Sequence, residues 1–155
     1  MPIFTFTTLD DPLATNGTFA TGVNASGQVV GSYNAGGNAH GFLLSGGTYT
    51  TFNDPDAAGG DTLPDGINNL GQIAGTFNNF PVQELGFIKI GNSYPFIVYP
   101  LNVNFVTEAH GINSLGEVVG EYVDNAANSH GFVYLRDLGV FATFAPNERP
   151  SLAPL

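Results

Sequence analysis

The chain has no cysteine and no tryptophan, and only three cationic side chains among its 155 residues. Without cysteine there are no disulfides and no thiolate metal sites, and the redox compartment is unconstrained. The cations are Lys89, Arg136 and Arg149; against 13 Asp and Glu they leave a formal charge of -10. Binding phosphates needs a basic patch, so nucleic acid is excluded as a partner. Anionic membrane surfaces are disfavoured for the same reason. No apolar run reaches transmembrane length, so insertion is not expected. No stretch places apolar residues at i, i+3, i+4 and i+7, so no helix is expected either. The opening residues Met1-Pro2-Ile3-Phe4-Thr5 show neither a basic n-region nor an apolar h-region. They read as a cytoplasmic chain, as one exported without a signal, or as one lacking its leader.

What the chain does have is 21 Gly, 10 Pro, 13 Phe and six Tyr. With charged residues at 10% it is too apolar to stay disordered. Its length suits a single domain with a real core. Short apolar runs punctuated by Gly, Asn, Thr and Pro predict many strands joined by tight turns.

One block occurs three times. Gly22-Val23-Asn24-Ala25-Ser26-Gly27-Gln28-Val29-Val30-Gly31-Ser32-Tyr33 returns from Gly66 to Phe77 and again from Gly111 to Tyr122. The offsets are 44 (66 minus 22) and 45 (111 minus 66). A second block, His40-Gly41-Phe42-Leu43, matches Leu85-Gly86-Phe87-Ile88 and His130-Gly131-Phe132-Val133. A third, Tyr49 to Pro55, matches Tyr94 to Pro100 and more loosely Val140 to Pro146. Phe6 to Pro12 is a lone further copy of that third block.

Each unit reads as four strands. The first ends near Gly-Ile-Asn, and the following Asn-x-x-Gly fits a tight turn. The second runs over Gln28 to Tyr33 and its equivalents by period-2 alternation. Gly31, Gly75 and Gly120 fall inside strands, which points to close backbone approach or a bulge. The third starts at His40, the fourth at Tyr49, and Asp-Pro ends the ladder.

The predicted architecture is all-β: a β-propeller-like array of three four-stranded antiparallel units, 13–55, 56–100 and 101–146, in one domain spanning 1–155. An extra N-terminal strand is expected over 4–11. Propellers have about four to eight blades, so three units call for a homodimer of six blades, with the spare strand completing a partner's blade. A closed threefold β-trefoil or β-prism is the alternative.

The Gly-Ile-Asn-x-x-Gly-Gln-Ile/Val-x-Gly-x-Tyr stretch followed by His-Gly-Phe-Leu resembles the HAF repeat, over Phe4 to about Pro146. That resemblance implies an extracellular bacterial repeat protein and carries no catalytic residues. The middle copy departs from it, with Leu85 in place of the His.

Residues common to all copies are explained by turns and packing. Asn24, Asn68 and Asn113 are expected to bond their own turns, and His40 and His130 to bond a neighbouring unit's backbone. Positions where the copies differ are better functional candidates. Thr21, Asp65 and His110 share one place in the repeat. If the first strands line an axis, these three converge, and Asp65, His110 and Glu108 are the candidate catalytic set. Tyr33, Phe77 and Tyr122, with His40 and His130, are the candidate ligand-binding set for sugar stacking in repeated pockets. Asp54, Asp56 and Asp61 are candidate calcium ligands, although their spacing fits no calcium loop; no cofactor is required. The resulting order of functions is a non-enzymatic module for glycans or small polar ligands, then a self-associating structural protein, then a hydrolase or lyase.

Overall fold

The computed structural model describes residues 5–79, 83–100, 106–143 and 151–153. It is all-β, with a single 3-10 turn at Pro55–Ala57 as the one helical element among the described residues. β1 (Thr18–Val23), β2 (Val29–Ala35), β3 (Asn38–Ser45) and β4 (Thr48–Phe52) form a four-stranded antiparallel sheet in chain order. β5 (Thr62–Ile67), β6 (Ile73–Asn79) and β7 (Gln83–Lys89) repeat that meander, with the two-residue β8 (Phe96–Ile97) on the far side of β7. β9 (Val106–Ile112), β10 (Val118–Val123), β11 (Ser129–Leu135) and β12 (Val140–Thr143) form the third, and β13 (Ser151–Ala153) adds a further strand to β12. The second and third meanders are joined where Glu84 and Leu85 of β7 pair in parallel with Val106 and Thr107 of β9. Among the described residues the strands close into neither a barrel nor a ring.

The turns form for the reason the sequence suggests. Asn24 Oδ1 accepts from the backbone N–H of Ser26 and Gln28, at 3.1 and 3.0 Å. Asn68 and Asn113 do the same for their own turns. The Gly that closes each turn, Gly27, Gly71 or Gly116, has a φ between 73° and 78°, which other residues adopt only at a cost.

The core lies between units. One cluster joins Val30 and Phe52 of the first meander to Ile67, Ile73, Phe77, Leu85 and Phe87 of the second. Another joins Ala74 and Ile88 of the second to Ala109, Val118, Phe132 and Phe141 of the third. Side chains tie the same junctions: Asn24 Nδ2 donates to the Asn68 carbonyl at 3.1 Å, and Asn68 Nδ2 to the Asn113 carbonyl at 2.9 Å. In the first two units the recurring Asn therefore both builds its turn and clamps the next unit.

Of the extra strand expected at 4–11, Phe4 lies outside the described residues, and 5–11 pair with no strand of the same chain among the described residues. No neighbouring strand among the described residues reaches them, and Phe6 is 92% exposed. Asp11 nevertheless reproduces the role of Asp54. Each takes a threonine hydroxyl on its own N–H, and each carboxylate accepts an N–H two residues on. The segment has the local chemistry of a fourth strand's exit turn. The last residues of the expected third unit, 144–146, lie outside the described residues.

Candidate functional site

The three first strands share an irregularity. Ala20 pairs with Gly31 and Gly22 with Val30, which leaves Thr21 as an extra residue in β1. Pro64 pairs with Gly75 and Gly66 with Ala74, leaving Asp65. Ala109 pairs with Gly120 and Gly111 with Val119, leaving His110. Each unit thus carries a β-bulge at a position where the repeat changes chemistry. A bulge bends its strand and re-aims a side chain. It also explains the glycines inside β2, β6 and β10. A Cβ on Gly31, Gly75 or Gly120 would overlap the carbonyl oxygen of Phe19, Leu63 or Glu108 respectively, because the bulged strand presses its backbone inward there.

The bulges converge. Thr21, Asp65 and His110 line one cavity of about 270 Å³ together with Ser32, Thr76, Asn78, Glu84 and Glu108. Thr21 is tied down, its hydroxyl donating to the Pro64 carbonyl at 2.6 Å. The cavity is acidic. Burial is the main cause that pushes the Asp65 carboxyl up to about 6; His110 opposes the rise and Glu108 adds to it. Glu108 is raised as well, first by burial and then by the neighbouring carboxylates of Glu84 and Glu121. A hydrogen bond with the Glu84 side chain raises it further. His110 Nε2 lies 3.9 Å from Glu108 Oε2.

Glu108, His110 and Glu121 each bring a ligand atom within 4.8 Å of the others. They are the trio among the described residues with the spacing to hold a metal ion. Imidazole with two carboxylates is a donor set that suits first-row divalent ions. Sequence reasoning named Glu108 and His110 and missed Glu84 and Glu121. Glu121 sits directly across from Glu108 in the β9–β10 ladder, and two like charges facing across strands are unfavourable without a reason. That signal becomes readable only once the bulge sets the register. Glu84 arrives through the parallel β7–β9 contact, for which the repeat holds no cue.

Among the described residues, the candidate calcium ligands Asp54, Asp56 and Asp61 are not a trio whose ligand atoms lie within 4.8 Å of one another. Asp54 is buried and caps the 3-10 turn, its Oδ1 accepting from the Asp56 N–H at 2.9 Å. Asp61 Oδ1 accepts from the Ala39 N–H at 2.7 Å, across the junction of the first two units. Backbone donors thus use one oxygen of each of these two carboxylates.

The aromatic ligand set is also placed elsewhere than expected. Tyr33 and Phe77 are buried, so neither offers a face to a sugar. Tyr33 donates to or accepts from the Thr51 hydroxyl at 3.0 Å and packs against the His40 ring. Tyr122 is stacked between Tyr99, with ring centres 3.7 Å apart, and His130. Burial, aided by the hydrogen bond with Tyr99, pushes its hydroxyl up to about 12. His40 places its ring nitrogens 3.0 Å from Asn53 Oδ1 and 3.2 Å from the Ala35 carbonyl. His130 is paired with Asp124 at 2.9 Å. Both imidazoles bond within their own unit, and not to a neighbouring unit as expected.

Comparison of the chain with protein-family models, with curated proteins and with solved structures finds no match.

Proposed function

We propose that this chain is a non-enzymatic binding module, and that its ligand is a small polyhydroxylated or amino-bearing molecule such as a sugar residue of a glycan. The three units would form an arc of a propeller-like ring, with the ligand held where the bulged first strands meet. One observation carries the reading: the same backbone bulge, in all three units, aims three different polar side chains into one cavity of about 270 Å³. A fold has no need to vary chemistry at a shared backbone feature, whereas a site does. The lining is rich in carboxylates and hydroxyls, which accept hydrogen bonds from ligand O–H and N–H groups. Resemblance to the HAF repeat favours an extracellular setting, where glycans are the common polar ligands.

The test is a titration of neutral and amino sugars followed by amide chemical shifts. Saturable shifts are expected at Thr21, Asp65, Glu84 and His110. Replacing Asp65 with Ala should weaken binding about tenfold or more, the worth of a hydrogen bond to a charged group. Absence of saturable shifts with every sugar at millimolar concentration rejects the reading.

A catalytic reading draws on a specific observation, the raised carboxyls of Asp65 and Glu108 beside His110. It makes the same cavity a hydrolase or lyase site with Asp65 or Glu108 as acid and His110 as base. Any glycosidase or lyase activity detected should then vanish in His110→Ala; an undiminished rate removes the assignment.

A further inference from the structure

The two ends of the array carry opposite halves of the junction that the chain makes internally. At the trailing face of each unit, Val30, Ala74 and Val119 are equivalent positions, as are Leu43, Ile88 and Val133. Val30 and Ala74 are both 0% exposed, because the next unit covers them; Val119 is 49% exposed. Around it, Gly111, Ile112, Asn113, Glu117 and Val133 line an apolar depression of about 410 Å³. At the leading face, Val23 is 68% exposed, whereas its equivalent Ile67 is 8% exposed. Ala20 is likewise exposed, whereas its equivalents Pro64 and Ala109 are buried against the preceding unit.

The polar clamp is split in the same way. Asn24 and Asn68 each extend Nδ2 to the Asn carbonyl of the following unit. Asn113 Nδ2 donates within its own turn, to Glu117 Oε2 at 2.6 Å. An amide nitrogen carries two hydrogens, and Asn24 and Asn68 use both, one for their own Gln and one for the next unit. The trailing face therefore offers a donor, and the leading face a carbonyl at Asn24, in the positions that the internal junctions already pair.

We propose that the trailing face of the third unit docks on the leading face of the first unit of a second copy of this chain, head to tail, repeating the internal junction. The occupant is a second copy because the seat is shaped for the leading strand of this repeat, and that strand is exposed at the other end of the same molecule. Two such contacts give a two-fold pair of six units; if the angle does not close, the same contact adds copies in a row. The exchange of strands through residues 4–11 is not part of it, since β13 already occupies the outer edge of β12. The inference takes its geometry from the arc proposed above, but association and ligand binding are read separately.

The experiment is sedimentation of the full chain and of two variants, Val119→Asp on the trailing face and Val23→Asp on the leading face. Both residues are exposed in the single chain, so both variants are expected to fold, as circular dichroism would verify. The wild-type chain should form dimers or larger species. Each variant alone should be monomeric, because every junction then contains one damaged face. An equimolar mixture should recover a dimer, because the intact trailing face of Val23→Asp meets the intact leading face of Val119→Asp. Wild-type protein that stays monomeric up to roughly 1 mM overturns the proposal. So does a mixture that stays monomeric at that concentration. Loss of association in only one of the variants marks pairing of like faces and overturns it as well. Retention of association in both variants means that other surfaces hold the copies together, and it too overturns the proposal.

Discussion

Single residues here serve two purposes at once. The repeated Asn was readable as a turn former because its short amide can accept from N–H groups two and four residues on. Its other half, the donation to the next unit, was not readable, since it depends on how units stack. Asp65 is similar. Its place beside Thr21 and His110 in the repeat marked it as a candidate, but its acidity is a product of burial. That has a consequence for stability. The folded carboxyl holds its proton up to about pH 6, while in the unfolded chain it releases it near the ordinary 3.8. Between those values the folded state binds more protons, so stability falls as pH rises from about 4 to about 6 and is flat above. Solvent reaches the site and screens the effect, which leaves about 1 kcal/mol. Asp65→Asn is therefore expected to raise the Tm at pH 7.5 by about 2–4 °C and to give no gain at pH 4. Thermal unfolding at the two pH values checks it; an equal shift at both would point to packing and not to the charge.

At the scale of elements, the meanders follow from alternation and turn chemistry, and the second and third strands of each unit fall where the sequence puts them. The glycines inside strands announced a close approach, and the bulges supply it. Which residue is the extra one was not legible, because a one-residue shift in register is decided by pairing across the strand and not within it. Bulge and glycine are coupled, and this can be tested. In Gly75→Ala the new methyl would stand 2.7 Å from Pro64 Cα and 2.9 Å from the Phe87 ring, besides overlapping the Leu63 carbonyl. A cost of about 3 kcal/mol or more is expected. Gly36→Ala, in the β2–β3 turn with φ at 62° and open space around it, should cost only about 1 kcal/mol. Urea denaturation midpoints compare the two. Similar costs would mean that backbone conformation, and not the approach of β5, governs Gly75. The segment 5–11 finds no strand neighbour within its own chain among the described residues, because local sequence resembling a fourth strand does not by itself supply one.

For the whole molecule, the charge of -10 sets the terms of self-association. Two copies repel each other over a Debye length of about 30 Å at 0.01 M salt and about 3 Å at 1 M. A junction built on Val23, Val119 and an Asn clamp is apolar at its centre. Its affinity should therefore rise several-fold as salt is increased between those limits, as sedimentation at each ionic strength would measure. An affinity that falls instead would mean that ion pairs hold the copies together. By itself the sequence determined the all-β class, the three-unit period, the turns, and a position in the repeat, at Thr21, Asp65 and His110, where chemistry varies, because these are written in local spacing and in comparison of one copy with another. Only the tertiary structure decided that Tyr33 and Phe77 are core, that the Asp54 and Asp61 carboxylates accept from the backbone, and that Glu84 and Glu121 join Glu108 and His110. Those outcomes depend on which strand lies across from which and on what the neighbouring unit covers, and neither is a property of any one stretch of chain.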